Sequence, residues 1–512
     1  MSQPVRAGVA TAAAAGALFA LAGHLGLLES YGTVLPYRDQ WQCTAVDLLG
    51  PWADGNLGLR NFFQPLNDHW PVLTRLLSFG LVRLNGQWNN LVETTVNALI
   101  FAGSVALFLR LILPGLQGWS RAGFAVLAGA VLALPITWEN TLWGIQSLVY
   151  LQIALTLVYL GAVATQQRFN RLWWCGHAAG LAVLFTQHSA ILAHVAAAGL
   201  LAWRWARHDG ERRGAAAGLG FALVVIAAFV AFFPSLTVTA ALRADSWQLA
   251  LEVFLRQLAW PLPHPAWAFV VYLPWLVWMV NRLGARRMAA ADAVIVVLGL
   301  WVGGQAAAIG YGRAAETFTF ASRYCDFLAL GWLLNAACLG RLWLAHPRWF
   351  IRGAVILFGA CWLVAPLKSF WLETSESHAG YNLPLRGGEN ARNLLRLRTW
   401  FTAHDAGRLT NDPGTQVELF TYPPALLPLL NQPRFTALLP PETGAPNARA
   451  DHGRLGWLPA ILVPSGAWVA GLGFVLLGGS LLLSSRRRAP PDAEVVEPSG
   501  HTLRTVACTT AA

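Results

Sequence analysis

Long apolar runs recur along almost the whole chain, and they limit the fold more than any other feature of the sequence. A helix crosses the roughly 30 Å hydrocarbon core of a bilayer with about 20 residues, although a tilted or paired helix can use fewer. The sequence predicts an all-α polytopic membrane protein with about twelve transmembrane helices. The runs lie near residues 7–29, 90–112, 122–137, 147–165, 172–187, 189–204, 214–233, 264–281, 290–311, 325–342, 350–367 and 459–484.

Three of these runs leave alternatives open. The runs at 122–137, 172–187 and 189–204 are short, so each is a tilted helix, half of a hairpin or a miscount. The first run, 7–29, has the length of a span and lacks the strongly charged segment that precedes a signal peptide's apolar core. We therefore interpret it as a retained first helix.

Composition excludes several other classes of protein. The 512 residues are 56% hydrophobic and only 12% charged, whereas about a quarter of the residues in a soluble domain are charged. The net charge of +11 comes from arginines placed between apolar blocks and not from one basic face, which argues against nucleic-acid binding. The six cysteines are scattered singly, without metal-ligand spacing, so neither a zinc site nor a disulfide framework is indicated.

The arginines predict the topology of the helices. Loops on the cytoplasmic side concentrate Lys and Arg, and with the N-terminus inside every inner connection is basic. This alternation favours twelve spans with both termini cytoplasmic. Arginine supplies all but one of the 36 Lys and Arg residues, a bias that suggests a bacterial source, so we expect a bacterial inner membrane. The inner arginines are Arg6, Arg110, Arg121, Arg168, Arg171, Arg204, Arg207, Arg212, Arg213, Arg282, Arg286, Arg287, Arg341, Arg348, Arg352, Arg486, Arg487 and Arg488.

The apolar runs and the polar segments between them divide the chain into four parts. The segment before the last helix contains many Gly, Pro and Asn residues, which predicts a small α+β or irregular periplasmic cap. The final residues are small and polar and are typical of a disordered tail. The parts are a transmembrane module over 1–367 with a first outward loop at 30–89, the periplasmic cap at 368–458, the last helix at 459–484 and a cytoplasmic tail at 485–512.

Two outward segments have the pattern of interfacial helices. In the first loop, Pro71 precedes apolar residues spaced as on one helix face, and proline is tolerated in a helix's first turn. Residues 245–260 show a similar amphipathic pattern. We expect both segments to form helices along the outer membrane surface.

Ionisable side chains gather in four outward segments. A carboxylate there can take a proton from an acceptor hydroxyl, and an arginine can bind a phosphate leaving group. Polar residues inside the apolar runs look isolated, and a transporter would need several near the membrane centre. The pattern favours group transfer from a lipid carrier. The four segments are Tyr37-Arg38-Asp39-Gln40-Trp41, Asn67-Asp68-His69, Trp138-Glu139-Asn140, and Arg313 with Glu316 and Ser322-Arg323-Tyr324; the isolated residues are Asn97, His177, His194, Asp292, Gln305 and Asn335.

Three strings in these segments resemble a known family. An acidic residue just after the first helix, followed by an interfacial helix, is the arrangement of the GT-C membrane glycosyltransferases. The resemblance spans roughly residues 1–330, and the three strings together are more specific than any one of them. They are Asn67-Asp68-His69-Trp70-Pro71-Val72-Leu73-Thr74-Arg75-Leu76, which looks like an Asn-acidic-His element of bacterial members, Trp138-Glu139-Asn140-Thr141-Leu142-Trp143-Gly144-Ile145-Gln146, and Ser322-Arg323-Tyr324.

The resemblance implies an inverting glycosyltransferase that uses a polyprenyl-phosphate-linked sugar donor on the periplasmic face. Its acceptor would be an envelope glycan, lipid or protein. Carried over by position, Asp39 is the catalytic base, and Asp68 or His69 assists it. The implied substrate-binding residues are Glu139 in the same cavity, Arg323 on the phosphate, Arg313 and Tyr324 beside it, and Arg75, because Trp70 stands where the family element has Arg.

Ordinary structural roles compete with each of these assignments. Asp39 could form a solvated ion pair with Arg38, and Asp68 could cap the helix after Pro71. His69 could be a hydrogen-bonded interface residue. Glu139 could interact with a helix dipole, and Arg323 could anchor a helix at lipid head groups. The cofactor question also stays open, because Asp39, Asp68 and Glu139 offer hard oxygen ligands to Mg²⁺ or Mn²⁺ while no ligand spacing requires a metal.

Two other functions fit the same scaffold. A transporter or flippase for lipid-linked oligosaccharide also has about twelve helices, although residues 1–230 and 231–484 show no convincing internal repeat. A polysaccharide polymerase or ligase has a large outward segment late in the chain, and residues 368–458 match that feature.

Overall fold

The computed structural model of the chain describes residues 3–67, 69–232, 240–262, 264–315, 320–345, 383–404, 409 and 423–485, with scattered positions between 352 and 374. Within these residues there is no strand, only an isolated antiparallel bridge between Leu66 and His69. Nine described helical segments are long and apolar enough to cross a bilayer. The prediction of an all-α polytopic membrane protein is confirmed.

The helices follow the apolar runs closely. We number them in chain order, and Trp41–Leu49 forms an additional π-helix between α1 and α2. The helices are α1 (Gln3–Tyr31), α2 (Gly50–Ala53), α3 (Leu59–Phe62), α4 (Val72–Asn85), α5 (Asn90–Ile112), α6 (Gly118–Ala133), α7 (Trp138–Leu142), α8 (Ser147–Thr165), α9 (Arg171–Val183), α10 (Ile191–Arg207), α11 (Arg212–Phe232), α12 (Trp247–Ala259), α13 (Trp267–Leu283), α14 (Ala290–Gly312), α15 (Cys325–Ala345), α16 (Leu383–Ala403), α17 (Pro423–Leu430), α18 (Pro433–Thr436), α19 (Trp457–Leu462) and α20 (Gly466–Ser485).

The number of spans is settled only in part. Helices α9 and α13 have 13 and 17 residues, which is short for a membrane crossing. The run at 350–367 falls mostly outside the described residues, as does the tail after 485. The count of twelve therefore stays a prediction.

Helix α1 packs closely against three other helices, α5, α6 and α20. A Cβ added at Gly16 would lie 2.7 Å from the Ala125 carbonyl oxygen, and one at Gly129 would lie 2.7 Å from the Gly16 oxygen. Small residues thus let the backbones of α1 and α6 approach, as is common between membrane helices.

One end of the bundle is rich in arginine, and we call it the arginine end. Arg341 Nη1 lies 2.5 Å from Asp292 Oδ1, and Arg282 Nε lies 3.4 Å from Asp292 Oδ2. Arg204 donates from Nη1 to the Val163 carbonyl at 2.6 Å. Asp292 is therefore not isolated, because it neutralises two of the arginines that the topology prediction placed on one side.

The opposite end, which we call the loop end, carries the first loop and the cap. Asn390 of α16 donates to the Tyr31 carbonyl at the end of α1, at 3.0 Å. Helices α16–α18 share a hydrophobic cluster with the first loop, and in the described residues of this cap all regular structure is helical. The cluster includes Leu35, Trp41, Ala45, Leu49, Val82, Trp88, Leu397, Trp400, Leu426, Leu429, Phe435 and Leu439.

Both expected amphipathic helices are present. Pro71 directly precedes α4, and the Ser246 hydroxyl caps α12 by accepting a hydrogen bond from the Leu249 amide at 3.3 Å. Helix α4 contacts the π-helix, and α12 packs against α13 and α14. The patterns thus identified the helices, while their position at a membrane surface stays a prediction.

Candidate active site

Two of the three strings from the sequence analysis are in direct contact at the loop end. Helix α7 presents Glu139 and Asn140 to the 3₁₀ turn Ser322–Tyr324 that leads into α15. The Arg323 amide donates to Glu139 Oε2 at 3.0 Å, and Asn140 Nδ2 donates to the Arg323 carbonyl at 3.0 Å. The Glu139 amide donates to Ser322 Oγ at 3.2 Å. We call this arrangement the Glu139–Arg323 clasp.

The clasp fixes the backbone of Arg323 more firmly than its side chain. The guanidinium Nη1 lies 3.5 Å from Glu139 Oε1, which is a long contact, and the side chain is 29% exposed while that of Glu139 is 7% exposed. The guanidinium carbon also lies 5.2 Å from the centre of the Tyr324 ring. Arg323 is therefore a positioned and partly exposed cation at the loop end.

Asp39 lies in a turn held by two residues with left-handed backbone. Asn67 Nδ2 donates to Asp39 Oδ2 at 3.3 Å. Arg38 has a φ of 41° and Asn67 a φ of 50°. This left-handed region costs an arginine energy, whereas an asparagine adopts it more readily. Asp39 is half-buried. The backbone is therefore strained at Arg38, next to the carboxylate that accepts a hydrogen bond from Asn67.

Tyr37 joins the Asp39 turn to the segment that carries Glu139. Trp143 Nε1 donates to the Tyr37 carbonyl at 2.7 Å, and the two rings meet edge to face with centroids 5.2 Å apart. Both side chains are buried. The turn with Asp39 and the segment with Glu139 are therefore parts of one packed unit.

A buried polar network below this unit was not anticipated from the sequence. Gln40 Nε2 donates to Glu93 Oε2 at 2.7 Å, and Trp88 Nε1 donates to Glu93 Oε1 at 3.1 Å. The Gly144 amide donates to Asn90 Oδ1 at 2.9 Å, and Asn97 donates to the Gly144 carbonyl at 2.8 Å. The network connects α5 to both segments and explains why Asn97 lies inside an apolar helix.

His69 takes part in a contact between the first loop and the α9–α10 hairpin. Its backbone pairs with that of Leu66, and its Nδ1 accepts a hydrogen bond from the His188 amide at 3.4 Å. The Leu73 amide donates to the Phe185 carbonyl at 3.1 Å nearby. Asp68, the other assisting residue that the resemblance implies, lies outside the described residues.

Arg75 is enclosed by the first loop. Its guanidinium contacts the Asp47 carboxylate and donates to the carbonyls of Cys43, Phe62 and Gln64, and the side chain is fully buried. Burial raises the pKa of Asp47, although Arg75 and Gln42 oppose that effect. Burial likewise raises the pKa of the Cys43 thiol to about 12. Arg75 thus organises the loop from inside, and its guanidinium faces the protein and not the predicted ligand.

Arg313 directly follows α14 and is half-buried. Its amide donates to the Ile309 carbonyl at 3.0 Å, while Glu316 lies outside the described residues.

The described part of the chain shows no metal-binding cluster. No three of its His, Cys, Asp or Glu side chains form a group suited to a metal ion. A divalent cation at Asp39, Asp68 and Glu139 stays an open prediction.

The chain matches no model of a known protein family, and no curated protein or solved structure shows significant similarity to it. The likeness to GT-C enzymes therefore stays a resemblance of short strings. What the structure adds is that two of those strings touch, and that a third segment, with Asp39, is attached to them through Tyr37.

Proposed function

We propose that this chain is a membrane glycosyltransferase of the GT-C class, which transfers a sugar from a polyprenyl-phosphate donor to a cell-envelope acceptor. The observation that supports it is that the turn with the half-buried Asp39 packs, through Tyr37, against the segment whose Glu139 holds the backbone of Arg323 at the loop end. The surrounding apolar helices suit a donor whose polyprenyl chain stays in lipid while its phosphate and sugar lie at the surface.

The two side chains have distinct chemical parts in this reaction. The Asp39 carboxylate takes the proton from an acceptor hydroxyl as that oxygen forms a bond to the anomeric carbon of the sugar. The bond from the anomeric carbon to the phosphate oxygen breaks, and polyprenyl phosphate leaves with the electron pair. Arg323 binds this phosphate and stabilises its growing charge. Attack opposite the leaving group inverts the configuration.

The proposal includes a membrane orientation. The loop end faces the periplasm and the arginine end faces the cytoplasm of a bacterial inner membrane, with twelve spans and both termini inside. The concentration of arginines at one end supports this orientation through the positive-inside rule.

Substitution of Asp39 tests the chemistry. Purified protein is reconstituted into liposomes with a panel of polyprenyl-phosphate hexoses, and the released polyprenyl phosphate is measured. We expect Asp39→Asn to lower release about 10²–10⁴-fold, because it removes the base, without lowering the Tm. The matched control is Asp54→Asn, which changes an exposed carboxylate of the same loop. Equal release by Asp39→Asn and the wild type would refute the assignment.

A polymerase or ligase is the second candidate, and the packing of the cap on the first loop favours it. Such an enzyme uses a diphosphate-linked donor. Faster turnover of polyprenyl-diphosphate oligosaccharides than of monophosphate sugars would select this function. Movement of intact lipid-linked sugar across the bilayer, without cleavage, would instead identify a flippase.

A further inference from the structure

A second carboxylate, Asp326, lies directly behind the Glu139–Arg323 clasp. It occupies the first turn of α15 and is only 1% exposed. Asn140 Nδ2 donates to its Oδ2 at 2.7 Å, and Asn140 itself is 0% exposed. The Thr137 hydroxyl also faces this carboxylate. The pair thus lies inside the protein, where the chain leaves α6 and enters α7.

Two oxygens of this pair, Asp326 Oδ1 and Asn140 Oδ1, are enclosed and lack a hydrogen-bond donor among the described residues. No Lys, Arg or His in that same part of the chain lies within 4 Å of the Asp326 carboxylate. The nearest cation of the clasp, Arg323, is paired with Glu139 at 3.5 Å.

The charge of Asp326 is therefore poorly compensated by the protein. A buried carboxylate is unfavourable unless a positive group and hydrogen bonds replace its hydration. The start of α15 supplies only about half an elementary charge, and Asn140 and Thr137 supply neutral dipoles. The described residues therefore leave part of the negative charge of Asp326 without a positive group to compensate it.

We propose that Asp326 and Asn140 form a binding site for a small monovalent metal cation, with Na⁺ as the natural occupant. Alkali cations prefer hard oxygen ligands, and membrane proteins often bind Na⁺ where helices are interrupted and carbonyls are exposed. Here the 3₁₀ turn Pro135–Thr137 separates α6 from α7 and contacts both the Ser322–Tyr324 turn and α15. One carboxylate with neutral oxygens balances a single charge. A divalent ion would be served better by several carboxylates, and the described residues contain no such group.

A cation bound at this site would affect the Glu139–Arg323 clasp. Asn140 donates both to Asp326 and to the Arg323 carbonyl. A cation held by the Asn140 oxygen fixes the orientation of that amide and so the backbone of Arg323. The site goes beyond the proposed glycosyltransferase activity and does not depend on it.

Thermal unfolding of the full-length protein in detergent tests the site without any substrate. The Tm is measured in choline chloride and then with increasing NaCl, KCl or LiCl at constant ionic strength. We expect a saturable rise of about 2–3 °C with Na⁺ at about 100 times its Kd, since a ligand that binds only the folded state stabilises it by mass action. Asp326→Asn keeps the shape of the side chain and removes its charge, so it should abolish the response.

Asp292→Asn is the matched control, because it removes a buried carboxylate that already has arginine partners. It should lower the Tm and keep the Na⁺ response. A wild-type Tm equal in all four salts would overturn the proposal even if Asp326→Asn fails to fold. So would a Na⁺ response that persists in Asp326→Asn, or a Tm that rises only on acidification, which would place a proton on Asp326 instead.

Discussion

The guanidinium of Arg386 lies over the ring of Tyr37, with its carbon 3.5 Å from the ring centroid. Arg386 also pairs with Glu389 at 3.3 Å, and both side chains are buried, at 2% and 0% exposure. The Tyr37 hydroxyl donates to the same Glu389 at 3.5 Å. Helix α16 of the cap therefore holds the turn that presents Asp39, although 352 residues of sequence separate Tyr37 from Glu389.

Replacing Arg386 alone should destabilise the protein strongly. Arg386→Met removes the ion pair between Arg386 and the buried Glu389, and breaking a buried pair typically costs about 3–5 kcal/mol. We expect a clear fall in Tm in detergent. Arg392→Met, on the exposed side of the same helix, should change stability by about 0.5 kcal/mol or less.

Removing both charges should restore much of that loss. In Arg386→Met/Glu389→Leu no unpaired charge stays buried, and apolar replacements of buried ion pairs are often neutral or stabilising. The double variant should therefore have a higher Tm than Arg386→Met. If its Tm is as low or lower, the pair acts through its shape and not through charge balance.

Gly144→Ala should disturb the polar network below the site. The added Cβ would lie 2.5 Å from Gln40 Nε2 and 2.7 Å from Asn90 Oδ1, so those groups must shift. We expect a loss of about 1–3 kcal/mol, measured as a lower Tm. The matched control is Gly103→Ala in α5, where nothing lies within 4 Å of the new Cβ and helix propensity improves by up to about 1 kcal/mol. Equal effects of both substitutions would argue against the close packing at Gly144.

Cys43 should resist alkylation in the folded protein. Burial raises the pKa of its thiol to about 12, so at pH 9 only about one molecule in a thousand carries the reactive thiolate. We expect N-ethylmaleimide to label Cys43 at least about 100-fold more slowly than Cys175, which is exposed. Peptide mass spectrometry measures both rates, and unfolding should make Cys43 reactive. Similar rates in the folded protein would show that the first loop opens.

Labelling of single cysteines should reveal the orientation. Arg60 lies in the first loop and Arg207 at the arginine end, and both are exposed. In a variant without native cysteines, a membrane-impermeant maleimide should label Arg60→Cys in intact spheroplasts. It should label Arg207→Cys only after the membrane is made permeable. The reverse pattern would invert the topology predicted from the arginines.

The sequence predicted the helices best where local signals were sufficient. The run 90–112 matches α5 because it is long, apolar and capped by Asn89, whose side chain accepts from the Leu91 amide at 2.9 Å. The run 172–187 was too long, since α9 ends at Val183 and Phe185 instead bonds to Leu73 of the first loop. Tertiary contacts of that kind cannot be predicted from the hydrophobicity of the sequence.

The contacts within the candidate site could be predicted only in part, for the same reason. The strings with Glu139 and Arg323 were each visible, and the structure joins them. Glu93 was missed because an acidic residue in the first turn of a helix has an ordinary explanation in the helix dipole; only the fold brings Gln40 and Trp88 to it. Arg75 was expected to face a ligand, but it donates a hydrogen bond inside the first loop. The sequence of an amphipathic helix does not show whether a basic residue faces inward or outward.

The left-handed backbone of Arg38 makes the Asp39 turn a compromise between folding and placement. Glycine would adopt this angle at almost no cost, so position 38 gives up stability that a single substitution could regain. That substitution would also enlarge the range of conformations open to the turn. A more heat-resistant variant selected at this position would therefore hold its carboxylate less steadily.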